Sequence, residues 1–536
     1  MTTATVAPEP KVAPRPDLSG RALPPGLRTW QPHGWLPGWA WALAVTVVAG
    51  FIRFWALGFP PGKSFDEIYY ATEAQEMLRY GYEDNRGYMF IVHPPLGKWL
   101  IGAGSAVFGN NSFGWRVVPA LAGTLCVLML ARVAMRMFHS VALGVVAGGL
   151  LAMEGISVVI SRVALLDIFL QLFILAGFAA LVVDRDRLRQ RLAELYLAGV
   201  DLRAGVPGLG PRPWRLLGGI CLGLAFADKW NALSFWGGFA VLSLIWDRGA
   251  FKSAGVEQPW LAVLKRSFIP WGFSLGVAPA AAYLLSWTGW FVGENSWNRH
   301  WGDTHPGTGL FALLPSSIRS LLDYHHQAYL FHTHLFDPHP YKANPWSWLI
   351  LGRPISFYAP ADVTGCGSSS CTREILCIGT PIMYWAFVPA VLWCLWHWAT
   401  TRDWRAGSVL MAFLVGWGVW LQNTRRTGFI FYMTPLMPFL ILGVTLAVGV
   451  MLSRTRSERA IVPQPVDVAE GEVRSVGLRE WIAIQGLSLG HLLRIAAVAL
   501  WLGAVVADFV WMWPIFTGGM LTNAQWHLRM WFPSWI

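Results

Sequence analysis

Apolar stretches of helical length recur along the whole chain, and about eleven of them approach the roughly 20 residues that a bilayer demands. They lie near 39–57, 113–137, 141–152, 156–183, 214–228, 230–247, 268–288, 382–399, 407–421, 429–452 and 495–513. The third and fifth are short enough to be halves of a neighbour, which leaves the count open by one or two. A chain built this way has lipid as its main solvent, so its backbone must satisfy its own hydrogen bonds, and runs of this length do so as helices. The expected fold class is an all-α polytopic membrane protein. Composition agrees: 55% of the 536 residues are hydrophobic and only 13% charged, against about 25% charged in soluble proteins. The 33 tryptophans exclude a disordered chain. Six cysteines are too few for a disulfide-dense secreted scaffold.

The net charge of +11 admits two explanations, nucleic acid or membrane topology, and its placement decides between them. Lys and Arg cluster in the first residues (Lys11, Arg15, Arg21, Arg28), around Arg132 and Arg136, from Arg185 to Arg212, from Arg248 to Arg266, at Arg402 and Arg405, and from Arg454 to Arg494. With eleven spans, all of these fall on one side, which the positive-inside rule makes cytoplasmic. The N-terminus is then cytoplasmic and the C-terminus extracytoplasmic, in a multi-pass cell-membrane protein with no nucleic-acid partner. Residues 1–38, rich in Pro, Gly, Ala and Arg and without the apolar core of a signal peptide, read as a disordered cytoplasmic tail. Residues 39–513 are the transmembrane domain, with long outer loops at 58–112 and 289–381, and 514–536 an outer tail. Loops of that length usually carry function, so chemistry is expected outside. Gly102, Gly104 and Gly109 have the wrong spacing for a dinucleotide fingerprint.

The strongest local signal is Asp66-Glu67, set among Phe65, Tyr69 and Tyr70 just after the first span. Paired acids at a membrane surface can raise one another's pKa into the range of a general base. Alternatively Asp66 caps the helix that follows and Glu67 favours its first turn. His93, held by Pro94 and Pro95 and followed by Lys98, reads either as a rigid presenting turn or as a plain loop end with Lys98 snorkelling. Arg53, Arg116, Glu154, Arg162, Asp167, Asp228 and Lys229 lie within or at the edges of spans, where an ionisable group costs at least about 2.5 to 3.5 kcal/mol and usually marks a site. Inter-helix ion pairs are the alternative for each. Arg425 and Arg426 fall outside, against the positive-inside trend, unless a span is miscounted; a phosphate at the outer surface would explain them. The histidines of 289–381 lack compact ligand spacing, so no metal is assigned. Among Cys366, Cys371 and Cys377 one disulfide is expected, its pairing open.

Several segments together resemble the protein O-mannosyltransferases, polytopic lipid-phosphosugar-dependent enzymes of the GT-C fold. They are FDEIYYATEA (65–74), HPPLGK (93–98), WRVVPALAG (115–123), SRVALLDIFL (161–170), ADKWNALSFW (227–236), HPYKANPWSWLI (339–350) and RRTGFIFYMTPLMPFL (425–440), in order along nearly the whole chain. HPPLGK combined with HPYxxxPWSW is the specific part. Residues 289–381 are too few for the β-trefoil domain of the eukaryotic members, and Phe431-Tyr432 stands where those tend to have histidine, so the resemblance is to a bacterial, actinobacterial-type member. It implies inverting transfer of mannose from polyprenyl-phosphate-mannose to Ser or Thr hydroxyls of unfolded exported polypeptides. Asp66 would be the base, with Glu67 beside it. Arg116, Arg162, Lys229, Arg425 and Arg426 would hold the donor phosphate, and His93, Lys98, His339, Tyr341 and Trp348 the sugar and acceptor. No cofactor is required, and a divalent metal has no support in the residues. Membrane lipids and the protein export channel are the further expected partners. Two other readings stay open: a related transferase moving another lipid-phosphate-linked sugar to a lipid acceptor, and a non-catalytic lipid transporter.

Overall fold

Sixteen helices carry the architecture of the computed structural model, which describes residues 23–28, 35–87, 90, 92–203, 205–453 and 488–536. Most of the tail expected over 1–38, and residues 454–487 of the loop expected on the cytoplasmic side, lie outside the described residues. In chain order the helices are α1 (Trp35–Phe54), α2 (Glu67–Tyr80), α3 (Leu96–Phe108), α4 (Ser112–Phe138), α5 (Val141–Ala152), α6 (Gly155–Ser161), α7 (Asp167–Leu197), α8 (Pro213–Asp228) and α9 (Ala232–Ser253). They continue with α10 (Pro259–Arg266), α11 (Phe268–Ser286), α12 (Ser316–His334), α13 (Phe387–Thr401), α14 (Trp404–Trp417), α15 (Met437–Leu452) and α16 (Leu489–Thr517). Shorter helical turns join them.

Among the described residues, eight helical segments are long and apolar enough to cross a membrane, or nine if the bent pair α5 and α6 counts as one span. The eleven expected spans included α8, which has only 16 residues, and α9, whose last turns carry Asp247, Arg248 and Lys252. The span expected at 156–183 is in fact broken: α6 belongs with α5, from which it bends by 61°, and α7 starts afresh at Asp167. Buried ionisable residues stand at both breaks, between α5 and α6 and between α6 and α7. The Glu154 carboxylate caps α6 by accepting from the N–H groups of Ile156 (3.2 Å) and Ser157 (2.6 Å). Arg53 of α1 donates to the end carbonyls of α5, Leu151 (3.1 Å) and Ala152 (3.4 Å). Arg162 ends α6 and donates to the carbonyls of Ile52, Arg53 and Trp55 at the end of α1. Each serves orphan groups that every helix terminus leaves.

The core runs along α7, where Ile168, Phe169, Leu170, Ile174 and Phe178 are fully buried and pack against α4, α8 and the 3₁₀ turn Ile430–Leu436 that precedes α15. The outer surfaces of α1, α11 and α16 leave Val47, Leu285 and Leu500 exposed, as lipid-facing helices do. Outside the bundle, β1 (Ile355–Tyr358) pairs antiparallel with β3 (Ile375–Cys377), and β2 (Cys371–Arg373) with β4 (Met520–Thr522). The segment 514–536 is therefore no loose tail: it supplies β4, and Trp535 is buried with its indole donating to the Leu351 carbonyl at 2.6 Å. Cys366 and Cys371 form the disulfide, leaving Cys377 buried and reduced in β3.

Candidate active site

The loop entering α2 separates two acids that are adjacent in sequence. Phe65 takes a left-handed backbone conformation (φ 50°), a rare state for a bulky residue that must be held by its surroundings. Its ring is so held, stacked on Phe357 (centroids 5.0 Å) and edge-on to Phe429 and Phe431 (both 5.9 Å). Beyond this bend Asp66 stands at the start of α2 without capping it and lines a cavity of ≈ 790 Å³ walled by residues of the segments 65–93, 229–231, 329–339 and 419–432. Glu67 turns the other way and is fully buried. It accepts from Arg116 Nε (2.7 Å) and Nη2 (2.6 Å) and from the N–H groups of Ser64 and Ala164 (both 2.8 Å).

The structure therefore corrects three expectations. Glu67 is saturated and away from the cavity. Arg116 has its remaining donors on the carbonyls of Pro60 (2.8 Å) and Gly62 (3.0 Å). Arg162 closes the end of α1, as described above. Lys98 is corrected too: fully buried, it pairs with Glu73 (2.9 Å) and Glu83 (2.7 Å), and Tyr324 of α12 donates to the latter (2.7 Å). Burial alone would lower Lys98, but these carboxylates hold it above the ordinary lysine value. It braces α2, α3 and α12 and does not line the cavity.

Five expected residues do line the cavity: Asp66, His93, Lys229, His339 and Arg426. Burial pushes the Asp66 carboxyl up to about 7; Lys229 opposes that shift and Asp167 adds to it. Lys229 reaches in with Nζ 2.7 Å from Asp167 Oδ2 and 5.3 Å from the Tyr432 ring centroid. Arg426 is fixed by donating to the carbonyls of His332 (2.8 Å) and Thr427 (2.9 Å) and to Tyr432 Oη (3.3 Å). His93 and His332 lie with ring centroids 5.0 Å apart. Burial drives both down, His332 to about 4 and His93 well below its ordinary value, so both are neutral imidazoles at physiological pH. Among the described residues His93 Nδ1 is buried without a partner, and such an atom is ready for a ligand hydroxyl. His339 packs edge-on to Phe429 at 4.9 Å.

The remaining three expected residues stand back from the cavity. Trp348 is buried, donates to the Ala343 carbonyl, and backs the wall residues Trp420 and Tyr432 with ring centroids at 5.6 and 5.9 Å. Tyr341 lies beside His339, with Arg353 over its ring. Arg425 is exposed, and its carbonyl accepts from Lys342. Sequence reasoning left His332, Tyr432 and Asp167 out of the site. Asp167 had a signal, as an acid at a span edge, but its partner Lys229 is 62 residues away.

A carboxylate, a lysine and an arginine thus line one cavity of a polytopic helical scaffold, and the comparisons with known proteins place that scaffold among membrane glycosyltransferases. The fold matches that of the S. cerevisiae protein O-mannosyltransferase Pmt1-Pmt2 complex bound to the sugar donor, with TM-score 0.67 and 16% identity over 95% of this chain and 94% of that chain. Two family models match in sequence: dolichyl-phosphate-mannose-protein mannosyltransferase over residues 43–207, and the C-terminal four-transmembrane region of protein-O-mannosyltransferase over 317–535. A polyprenol-phosphate-mannose–protein mannosyltransferase of Mycolicibacterium smegmatis is 37% identical over 93% of both chains. One of Mycobacterium tuberculosis is 36% identical over 93% of this chain and 92% of its own. One of Corynebacterium glutamicum is 33% identical over 93% and 94%. The chain belongs to the protein O-mannosyltransferase family.

Proposed function

We propose that the chain transfers mannose from polyprenyl-phosphate-mannose to Ser or Thr hydroxyls of exported polypeptides, with inversion, at the outer face of the cell membrane. The observation that carries this reading is Asp66: a carboxyl raised to about 7, with no side-chain hydrogen bond among the described residues, in a cavity of ≈ 790 Å³ that Lys229 and Arg426 also line. A hydroxyl is a weak nucleophile and needs a base. Asp66 accepts its proton as the oxygen attacks the anomeric carbon, and the bond to the lipid phosphate breaks. The phosphate is already a good leaving group, so Lys229 and Arg426 need only stabilise its charge. His93 and His339 contact sugar and acceptor. With α5 and α6 counted as one span the number of spans is odd, and the basic loops then favour an N-terminus in the cytoplasm and a C-terminus outside. An unfolded acceptor also suggests coupling to the export channel.

The test incubates membranes carrying the wild type or Asp66→Asn with polyprenyl-phosphate-mannose and a Ser/Thr-rich peptide. Mannosylated peptide from the wild type alone supports the reading. Equal transfer by the variant removes Asp66 as the base, and mannose found only on lipid favours the lipid-acceptor reaction.

A further inference from the structure

Behind Lys229, outside the cavity, lies a carboxylate that the reaction above does not use. Asp167, 1% exposed, stands in the first turn of α7, where the helix N-terminus favours negative charge. One of its oxygens accepts from Lys229 Nζ at 2.7 Å; the other has no hydrogen-bond partner among the described residues. A lysine ammonium is a compact charge on a flexible stem, and only a fixed acceptor holds it in one place. Of its three donors, Asp167 takes one and leaves the rest for the cavity side.

We propose that Asp167 is a positioning residue for the transfer reaction: it fixes the Lys229 ammonium at the cavity floor, to be shared with the donor phosphate, and offsets part of the charge that Lys229 directs at Asp66. This rests on the function proposed above. Asp167 does not line the cavity, so it acts through Lys229. The ionisable groups around Asp66 are Lys229 and Asp167, Tyr69 and Tyr70 on α2, His93 before α3, Tyr329 and His332 on α12, Asp337 and His339 after it, and Arg426 and Tyr432. Glu67, next in sequence, is closed onto Arg116. The leading charges acting on Asp66 are Lys229, which favours the carboxylate, and Asp167, which opposes it.

Two substitutions separate charge from anchorage. Asp167→Asn keeps an acceptor oxygen in place and removes only the charge, so the acidic limb of the pH–rate profile moves to lower pH by about one unit, with the donor KM nearly unchanged. Asp167→Ala also removes the anchor, and the donor KM rises about tenfold, the size of a lost charge-assisted hydrogen bond. Asp228→Asn alters a neighbouring buried carboxyl that has no partner among the described residues, and leaves the limb where it was. A merely structural role would change yield or melting but not the limb. The inference is overturned if Asp167→Asn keeps the wild-type limb, if Asp228→Asn moves it equally, or if the Ala and Asn variants share one donor KM. A wild type that transfers no mannose refutes the function proposed above; binding of polyprenyl phosphate, weaker in Asp167→Ala than in Asp167→Asn, then still decides this inference.

Discussion

Glu67 and Arg116, 49 residues apart in sequence, close on each other through two hydrogen bonds of 2.6 and 2.7 Å in a fully buried ion pair. Arg116 also gathers the carbonyls of Pro60 and Gly62, and Glu67 the N–H groups of Ser64 and Ala164. One pair thus ties the loop before α2 to α4 and to the turn between α6 and α7. This fixes Asp66, the residue next to it, at the cavity edge.

The two neighbouring acids should therefore fail in different ways. Asp66→Asn is expected to fold normally and lose about 10²- to 10⁴-fold in kcat, the usual contribution of a positioned base. Glu67→Ala leaves Arg116 buried and unpaired, which costs about 3–5 kcal/mol, so its yield and melting temperature fall together with activity. Thermal unfolding in detergent beside initial rates separates the two. Equal melting temperatures for both variants would contradict this division of roles.

Asp66 also predicts two pH dependences. As a base it must be ionised, so the rate rises about tenfold per unit below pH 7 and levels off above it. Stability runs the opposite way. A carboxyl raised from its ordinary value near 3.9 to about 7 keeps, between those values, a proton that the unfolded chain has lost. Its contribution to stability therefore declines as pH rises through that window. Asp66→Asn should melt above the wild type at pH 8 and level with it at pH 4.

Which parts of this were legible in the sequence follows from the range of the interactions involved. The apolar runs at 113–137 and 429–452 match α4 and the Ile430–Leu452 segment because length and hydropathy suffice there. The break between α6 and α7 was hidden, since it depends on Arg162 meeting α1 about 110 residues earlier. Asp66 was legible as an acid beside aromatics at a span end. Its separation from Glu67 was not, because only the fold brings Arg116 to one acid and not the other. Lys98 looked like a site residue for the same reason: Glu73 and Glu83 sit in the segment 58–112 with nothing in their spacing to mark them as its partners.

Arg426 offers a cleaner test of phosphate recognition than its neighbour. Its guanidinium is held by the His332 and Thr427 carbonyls and faces the cavity, whereas Arg425 is exposed and does not line it. Arg426→Ala is expected to lower kcat/KM for the donor about 10- to 100-fold, through loss of charge-assisted contacts. Arg425→Ala should leave it unchanged. Steady-state kinetics with varied polyprenyl-phosphate-mannose and saturating peptide distinguishes the two arginines, and equal losses would return both to the site.

Lys98 tests whether a basic residue of the HPPLGK segment serves chemistry or structure. Its ammonium lies between the Glu73 and Glu83 carboxylates, and Glu73 also accepts from the Phe90 N–H, whose ring stacks on Tyr69 at 4.2 Å on the cavity wall. Lys98→Met leaves two acids facing each other in a dry interior, a loss of about 3–5 kcal/mol, relieved in part because burial already pushes Glu73 up to about 7. The variant should melt well below the wild type, and more so at pH 8 than at pH 6, where Glu73 takes up a proton. Whatever protein remains folded should bind donor with an unchanged KM, since no part of Lys98 reaches the cavity. A normal melting temperature with a raised donor or acceptor KM would instead place Lys98 in the site.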